Sequence, residues 1–384
     1  MAKFARGRTR SFRSLYRAVV DLCRGPLEEG AAAENADSYV KRYTSADFGL
    51  AMIFHFILGL SSLRELAIRL AEDSRLTRLI GMRGISTSHL PKLLHRRPVE
   101  LWAPLIEKLL HRLQPAAAPS CLWAIDSTTL TLGAKLLARM SGRKLERENA
   151  GAKLSAVVNL TDKRLKQFHI SMGSGHDAQY VDDLLPEDWE ISGLTFLFDR
   201  GYRKYCFYRD LIRRRAHFVT RKAGNDHFEP ERAIPIDTEH PEIIADDIGM
   251  LGGTALKDHE RMLVRRVIKR CDDGEELVFF TTRLDLTAAE VAALYQQRWV
   301  IEIFFRWLKS NVNLKRPLGY GVEPTMHTIL AALVVYCLAL LLAQWTPSRA
   351  NKRPVPLIAS SIQRLRARLY ETPRTGELRC LGFL

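Results

Sequence analysis

Residues Ile329 to Ala343 read ILAALVVYCLALLLA, a run with no charged side chain. A helix over this stretch is apolar on every face, so other elements or lipid must enclose it. Crossing a bilayer takes about 20 residues, and shorter apolar runs are more often buried core helices. The stretch is therefore expected to fill the centre of a domain, with no membrane partner. A chain of 384 residues can bury such a core and has room for two or three structural units.

Ahead of that helix the residue pattern changes. Residues 1 to about 114 read as helical. Leu63-Arg-Glu-Leu-Ala-Ile-Arg-Leu-Ala-Glu and Leu101-Trp-Ala-Pro-Leu-Ile-Glu-Lys-Leu-Leu both place apolar residues at helical spacing. The stretch from Gly84 to Arg97 combines a turn, a Ser cap and a short basic helix. It fits a helix-turn-helix reader of DNA and equally an ordinary helical hairpin in a bundle. Gln114-Pro-Ala-Ala-Ala-Pro-Ser is the clearest linker and marks the first boundary.

Strands follow. Cys121 to Ile125 is a short apolar run ending at Asp126, and Lys153 to Leu160 with Leu165 to Ser171 forms a hairpin across Thr161-Asp-Lys-Arg. A short helix is predicted near Tyr180 to Leu185, then an apolar strand ending at Asp199. A basic helix from Tyr202 to Arg215 and a strand at His217 to Thr220 complete this part. Residues 223 to 286 interrupt the pattern with a small β insertion, its last hairpin turning at Cys271-Asp-Asp-Gly. Thr287 and Glu290 then make a capping-box pattern at the start of a long helix.

The order matches a ribonuclease-H-like mixed α/β sheet carrying a β-strand insertion and preceded by an all-α N-terminal domain. The expected divisions are a helical DNA-binding part at 1–118, a catalytic domain split into 119–222 and 287–350, the insertion at 223–286, and a basic tail at 351–384. A helix is expected in that tail around Leu357 to Tyr370.

Charge narrows the partner. Lys and Arg number 58 against 43 Asp and Glu, a net +15, which points to nucleic acid. The basic residues cluster in Lys3 to Arg24, Arg203 to Lys222 and Lys257 to Arg270. Six cysteines are scattered with no C-x-x-C pair, which argues against a zinc site or a disulfide framework and fits a reducing cytoplasm. The basic N-terminus has no apolar run after it and does not read as a secretory signal.

The chemistry concentrates between Tyr295 and Lys309. On a helix advancing about 100° per residue, Tyr295, Arg298, Glu302, Arg306 and Lys309 fall within a face about 80° wide. A single carboxylate among cations suits a metal-binding Glu whose neighbours grip a polyanion. Asp126 and Asp199, each at the end of an apolar strand, are its natural partners, because chains leave a mixed sheet there and side chains reach solvent. Taken singly, Asp126 also reads as a cap onto Thr128 or Thr129, and Asp199 as a turn residue before Gly201. Three converging carboxylates repel unless cations lie between them, and an oxygen-only donor set favours Mg²⁺ or Mn²⁺ over zinc.

Tyr295-x2-Arg298-x3-Glu302-x6-Lys309 resembles the Y-R-E-K signature of DDE-class transposases of bacterial insertion sequences. Asp126-Ser-Thr-Thr and Asp199-Arg-Gly-Tyr resemble that family's two aspartate motifs, and the resemblance covers roughly residues 120 to 345. It implies a cut-and-paste transposase in which Asp126, Asp199 and Glu302 hold two Mg²⁺ ions, replaceable by Mn²⁺. It also implies a hairpin intermediate, double-stranded DNA partners (terminal inverted repeats and target), a homodimer on DNA and a cytoplasmic, nucleoid-associated location. Tyr295, Arg298 and Lys309 would hold phosphates, joined by Arg306, while Trp299 would stack on a flipped base or serve as a core aromatic. A stand-alone nuclease of the same fold and an inactive DNA-binding regulator are the alternatives. Lys153 is a further candidate DNA contact, His176-Asp177 reads as structural, and Gly252-Gly253 is a turn with no phosphate-loop sequence after it.

Overall fold

The computed structural model describes residues 14–40, 42–113, 121–131, 151–173, 176–224, 226–252, 261–312, 314, 318–319, 321–344, 362–363 and 366. The linker after Leu113, the beginnings of the first and third basic runs, Gly253 and nearly all of the tail helix expected around Leu357 to Tyr370 lie outside them. The described residues form two compact units, one drawn from 14–113 and 306–366, the other from 121–130 and 151–305.

The first unit is helical. Its N-terminal helices are α1 (Leu15–Ala33), α2 (Ser45–Leu58), α3 (Leu63–Glu72), α4 (Ser74–Ile80), α5 (His89–Leu93) and α6 (Ala103–Arg112). Local chemistry sets their starts. Thr44 and Asp47 form a reciprocal capping box on α2, and Ser62 and Asp73 cap α3 and α4. Gly30 lets α1 approach the 3₁₀ turn at Val99–Trp102, since a Cβ there would stand 2.5 Å from the Leu101 carbonyl oxygen.

The second unit is built on one nine-stranded sheet. Its strands are β1 (Leu122–Thr131), β2 (Gly151–Asn159), β3 (Leu165–Met172), β4 (Thr195–Phe198), β5 (His217–Arg221), β6 (Phe228–Ala233), β7 (Ile243–Leu251), β8 (Met262–Arg270) and β9 (Glu276–Thr281). Their order is β3-β2-β1-β4-β5-β9-β8-β7-β6. The β1–β4 and β4–β5 pairs are parallel, whereas β2–β3 and the run from β5 through β9, β8, β7 and β6 are antiparallel. Residues 223–286 thus extend the sheet itself at β5. Helices α7 (Val181–Leu184), α8 (Tyr205–Arg213) and α9 (Ala288–Gln296) accompany it.

The central parallel strands are apolar on both faces because both are covered. Trp123, Ile125, Phe196, Phe198 and Phe218 point into one core with Tyr202, Tyr208 and Leu211. Phe280 joins that core, while its neighbour Phe279 points the opposite way and packs on Tyr295 of α9 at 5.0 Å between ring centroids. The outer edge strand β6 leaves Pro230, Glu231 and Arg232 exposed and carries a register shift between Pro230 and Arg232.

Two expectations need adjusting. β1 does not end at Asp126 but continues to Thr131, since Thr128, Thr129 and Thr131 suit extended backbone. Only Leu122 to Ile125 pairs with β4. The long functional helix is also broken. After α9 the chain makes a turn at Gln297–Arg298, with amides bonding three residues back, and α10 (Trp299–Asn311) begins anew. α10 runs on into the helical unit.

That unit also contains α11 (Val322–Gln344), which includes the apolar run. The helix is long and apolar enough to cross a membrane, yet 94% of its most apolar window is buried inside the protein. Its buried Thr328 and His327 find partners. Thr328 donates to the Pro324 carbonyl, and His327 accepts from the Trp102 indole at 2.8 Å.

Candidate active site

The pleat and the strand register bring the two aspartates together. Ile125 pairs with Phe198 across the parallel β1–β4 contact, so Asp126 and Asp199 are the next residues on adjacent chains. Adjacent strands are about 4.8 Å apart. Ile125 and Phe198 point into the core with Tyr202, so alternation turns both following carboxylates toward the face that α9 covers. Each aspartate accepts the amide of its own successor at 2.8 Å, Asp126 from Ser127 and Asp199 from Arg200.

Residues at the α9–α10 break meet them. Tyr295, in the last turn of α9, is buried against Phe279 and donates its hydroxyl to Asp199 Oδ1 at 3.3 Å. Arg298, in the turn itself, donates through one terminal nitrogen to Asp126 Oδ2 at 2.8 Å and through the other to Glu302 Oε1 at 2.7 Å. Its guanidinium also lies 5.8 Å from the Tyr295 ring centroid, while its Nε is buried without a partner. Asp126, Asp199, Tyr295, Arg298 and Glu302 therefore form one connected group within the sheet unit.

Electrostatics in this group are dominated by burial. Asp126 is pushed up to about 6, first by desolvation and then by the Asp199 and Asp177 carboxylates, against the opposing pull of the Ser127 amide and Arg298. Tyr295 is held above its ordinary range by burial and by Asp199, which keeps its hydroxyl a proton donor. Burial alone would lower Arg298, but its anionic surroundings raise it, so it stays charged.

Among the described residues, no three His, Cys, Asp or Glu side chains are gathered closely enough to grip an ion as they stand. Arg298 provides the positive charge that joins Asp126 to Glu302. The donor chemistry nevertheless fits a hard divalent cation, since Asp126, Asp199 and Glu302 offer only carboxylate oxygens.

The other sequence candidates distribute along α10. Trp299 is 51% exposed, so it is not a core aromatic. Arg306 is exposed and Lys309 half-buried, both in the part of α10 that belongs to the helical unit. Lys153, on β2, pairs with Asp177 at 2.7 Å, and Ser127 donates its hydroxyl to the same carboxylate. Asp177 is thus a polar neighbour of the site that spacing alone could not place. The one signal for it was an acidic residue just after a Gly-Ser-Gly loop.

The chain is similar to known proteins. Residues 118–338 match the model of the family described as Transposase DDE domain. The chain is 27% identical over 270 residues to a protein of Sinorhizobium fredii named as transposase y4zB, covering 68% of this chain and 72% of that one. It is 23% identical over 322 residues to a protein of Geobacillus stearothermophilus named as a transposase for insertion sequence element IS5377, covering 82% of each. With the family match spanning more than half of its length, and both strand-end aspartates and Glu302 inside the matched region, the chain belongs to the DDE transposase domain family.

Proposed function

We propose that the protein is the transposase of a bacterial insertion sequence, which binds the terminal inverted repeats of its element, cuts there and joins the freed 3′ end to target DNA. The observation that carries this reading is the bonded group of Asp126, Asp199 and Glu302 around Arg298 and Tyr295, inside a chain of this family. The strand order β3-β2-β1-β4-β5, with β1, β4 and β5 parallel, supports a ribonuclease-H-like catalytic core. The net charge of +15 supports a polyanionic partner.

Asp126, Asp199 and Glu302 would hold the divalent ions, Mg²⁺ or Mn²⁺. Such ions stabilise charge on a phosphoryl group and activate a water or a 3′-hydroxyl for in-line attack. The protein's own groups do the positioning. The β1–β4 register fixes the spacing of the two aspartates, and Arg298 links Glu302 to Asp126. Tyr295 orients Asp199 by donating to one of its oxygens. Arg298 would hold a phosphate beside the carboxylates, Trp299 would stack on an unstacked base, and Arg306 and Lys309 would hold the DNA backbone. A hairpin at the element end, and pairing of two ends by a dimer, complete the reading, with residues 1–118 as the end-binding part.

The test uses a labelled element-end duplex, a target plasmid and Mg²⁺. Covalent end-to-target products are expected, and cleavage without joining would reduce the protein to a nuclease. Asp126→Asn, Asp199→Asn and Glu302→Gln should each lower cleavage at least about a hundredfold while leaving the fold intact. Unchanged cleavage by Glu302→Gln would remove that residue from the site.

A further inference from the structure

Asp177 reaches both segments that carry the two aspartates. Its Oδ1 accepts from the hydroxyl of Ser127, the residue after Asp126, and pairs with Lys153 Nζ at 2.7 Å. Its Oδ2 lies against Gly201, two residues after Asp199, where an added Cβ would come within 2.8 Å. One carboxylate is therefore wedged between β1 and the turn after Asp199 and braced from β2. The site's pleat explains the division of labour. Asp126 faces α9, whereas Ser127 faces the opposite side, where the buried hydroxyls of Tyr202 and Ser155 lie beside it.

Asp177 is a fourth acid beside the group, and its contacts decide among the roles open to it. Ligation of an ion is the less suitable one, because the Lys153 ammonium already covers the oxygen that Ser127 touches. Mere stabilisation of the strand hairpin is also a poor fit, since β2 and β3 pair along their whole length without it. What Asp177 joins is Ser127, on β1 beside Asp126, and Gly201, in the turn after Asp199.

We propose that Asp177, held by Lys153, is a positioning residue that ties β1 at Ser127 to the turn after Asp199 and so fixes the orientation of the two aspartates on the spacing that the strand register sets. The proposal rests on the reading above, in which those aspartates carry strand cleavage. Groups that orient metal-binding or catalytic side chains from behind typically cost about 10- to 100-fold in activity or metal affinity when removed.

The experiment compares full-length wild type with Asp177→Asn, Lys153→Met, the double variant and Asp126→Asn. The substrate is a labelled duplex carrying the inverted repeat that flanks the coding sequence. Asp177→Asn should keep end affinity within about twofold and lose cleavage at saturating DNA and Mg²⁺ by about 10- to 100-fold. The Mn²⁺ concentration that half-saturates the metal-induced rise in melting temperature should increase about tenfold. Lys153→Met should add little on top of Asp177→Asn, because the two act through one contact. Wild-type cleavage and an unchanged Mn²⁺ midpoint in Asp177→Asn would overturn the proposal, as would a loss confined to DNA affinity. Should that variant not fold, Ser127→Ala removes only the hydroxyl donated to Asp177. It should cut about 3- to 10-fold more slowly, and a wild-type rate there would also overturn the proposal. Cleavage retained by Asp126→Asn would bring down the catalytic reading and the positioning role together, whereas an inert Asp126→Asn beside a wild-type Asp177→Asn would bring down the positioning role alone.

Discussion

At the level of single residues, Arg298 has the most demanding position. Its two terminal nitrogens serve Asp126 and Glu302 at once, with 16% of the side chain exposed. A lysine presents one ammonium and cannot bridge two carboxylates in the same plane. Arg298→Lys is expected to lower the unfolding free energy by about 1–2 kcal/mol and to reduce cleavage more than end binding. Urea titration and a cleavage time course check the two parts separately. This bridge was only half legible in the chain. Spacing placed Arg298 beside Glu302, one helical turn away, but contact with Asp126, 172 residues earlier, depends on the sheet register. The same holds for Asp177, whose neighbours Lys153, Ser127 and Gly201 come from three separate segments.

Among the elements, the strands were easier to read than the helix that completes the site. The paired half of β1, Leu122 to Ile125, and β4 are short apolar runs bounded by polar residues, because strands covered on both faces have no polar side to confuse the pattern, whereas the polar second half of β1 went unread. The break between α9 and α10 left no mark, since Gln297 and Arg298 are both good helix formers. Tertiary contacts decide there: Tyr295 is tied to Phe279 and Asp199, and Arg298 to Asp126. The direction of α9 is also fixed from outside. Arg265, buried on β8, pairs with buried Asp246 and donates to the carbonyls of Arg283 and Leu286, in the connection leading to α9. Arg265→Met should cost about 3–5 kcal/mol by leaving Asp246 uncompensated. Asp246→Leu added to it should restore only part of that loss, because the two carbonyls stay unpaired; chemical denaturation of both variants tests this. Further along, Lys309→Ala on α10 should weaken end binding and reduce the slope of log affinity against log salt by about 0.9. Equilibrium binding across a salt series measures it.

At the scale of the whole molecule, two buried histidines make the helical unit sensitive to acid. His327 accepts from Trp102 through Nδ1 and meets the Arg97 carbonyl through Nε2, so it is held neutral with its proton on Nε2. Burial lowers both His327 and His55 from 6.5 to about 4. A lowered folded-state value means the unfolded chain takes up protons first as pH falls. The stability is therefore complete above pH 6.5 and is lost between there and about 4, at roughly 1.4 kcal/mol per pH unit for each histidine. His327→Gln should remove one histidine's share of that slope, read from urea unfolding at a series of pH values. The apolar run of α11 announced a buried helix from composition alone. Its neighbours did not announce themselves, because Trp102 and Phe48 meet His327 only once the chain has closed on itself.

The β6 rim has a consequence of its own. A sheet this wide ends in unpaired backbone groups that invite another chain to add on. Pro230 withholds a donor there, Glu231 and Arg232 set charge on the open side, and the irregular register spoils a straight template. The largest structural element of the protein is thereby kept from pairing edge to edge with a second copy of itself.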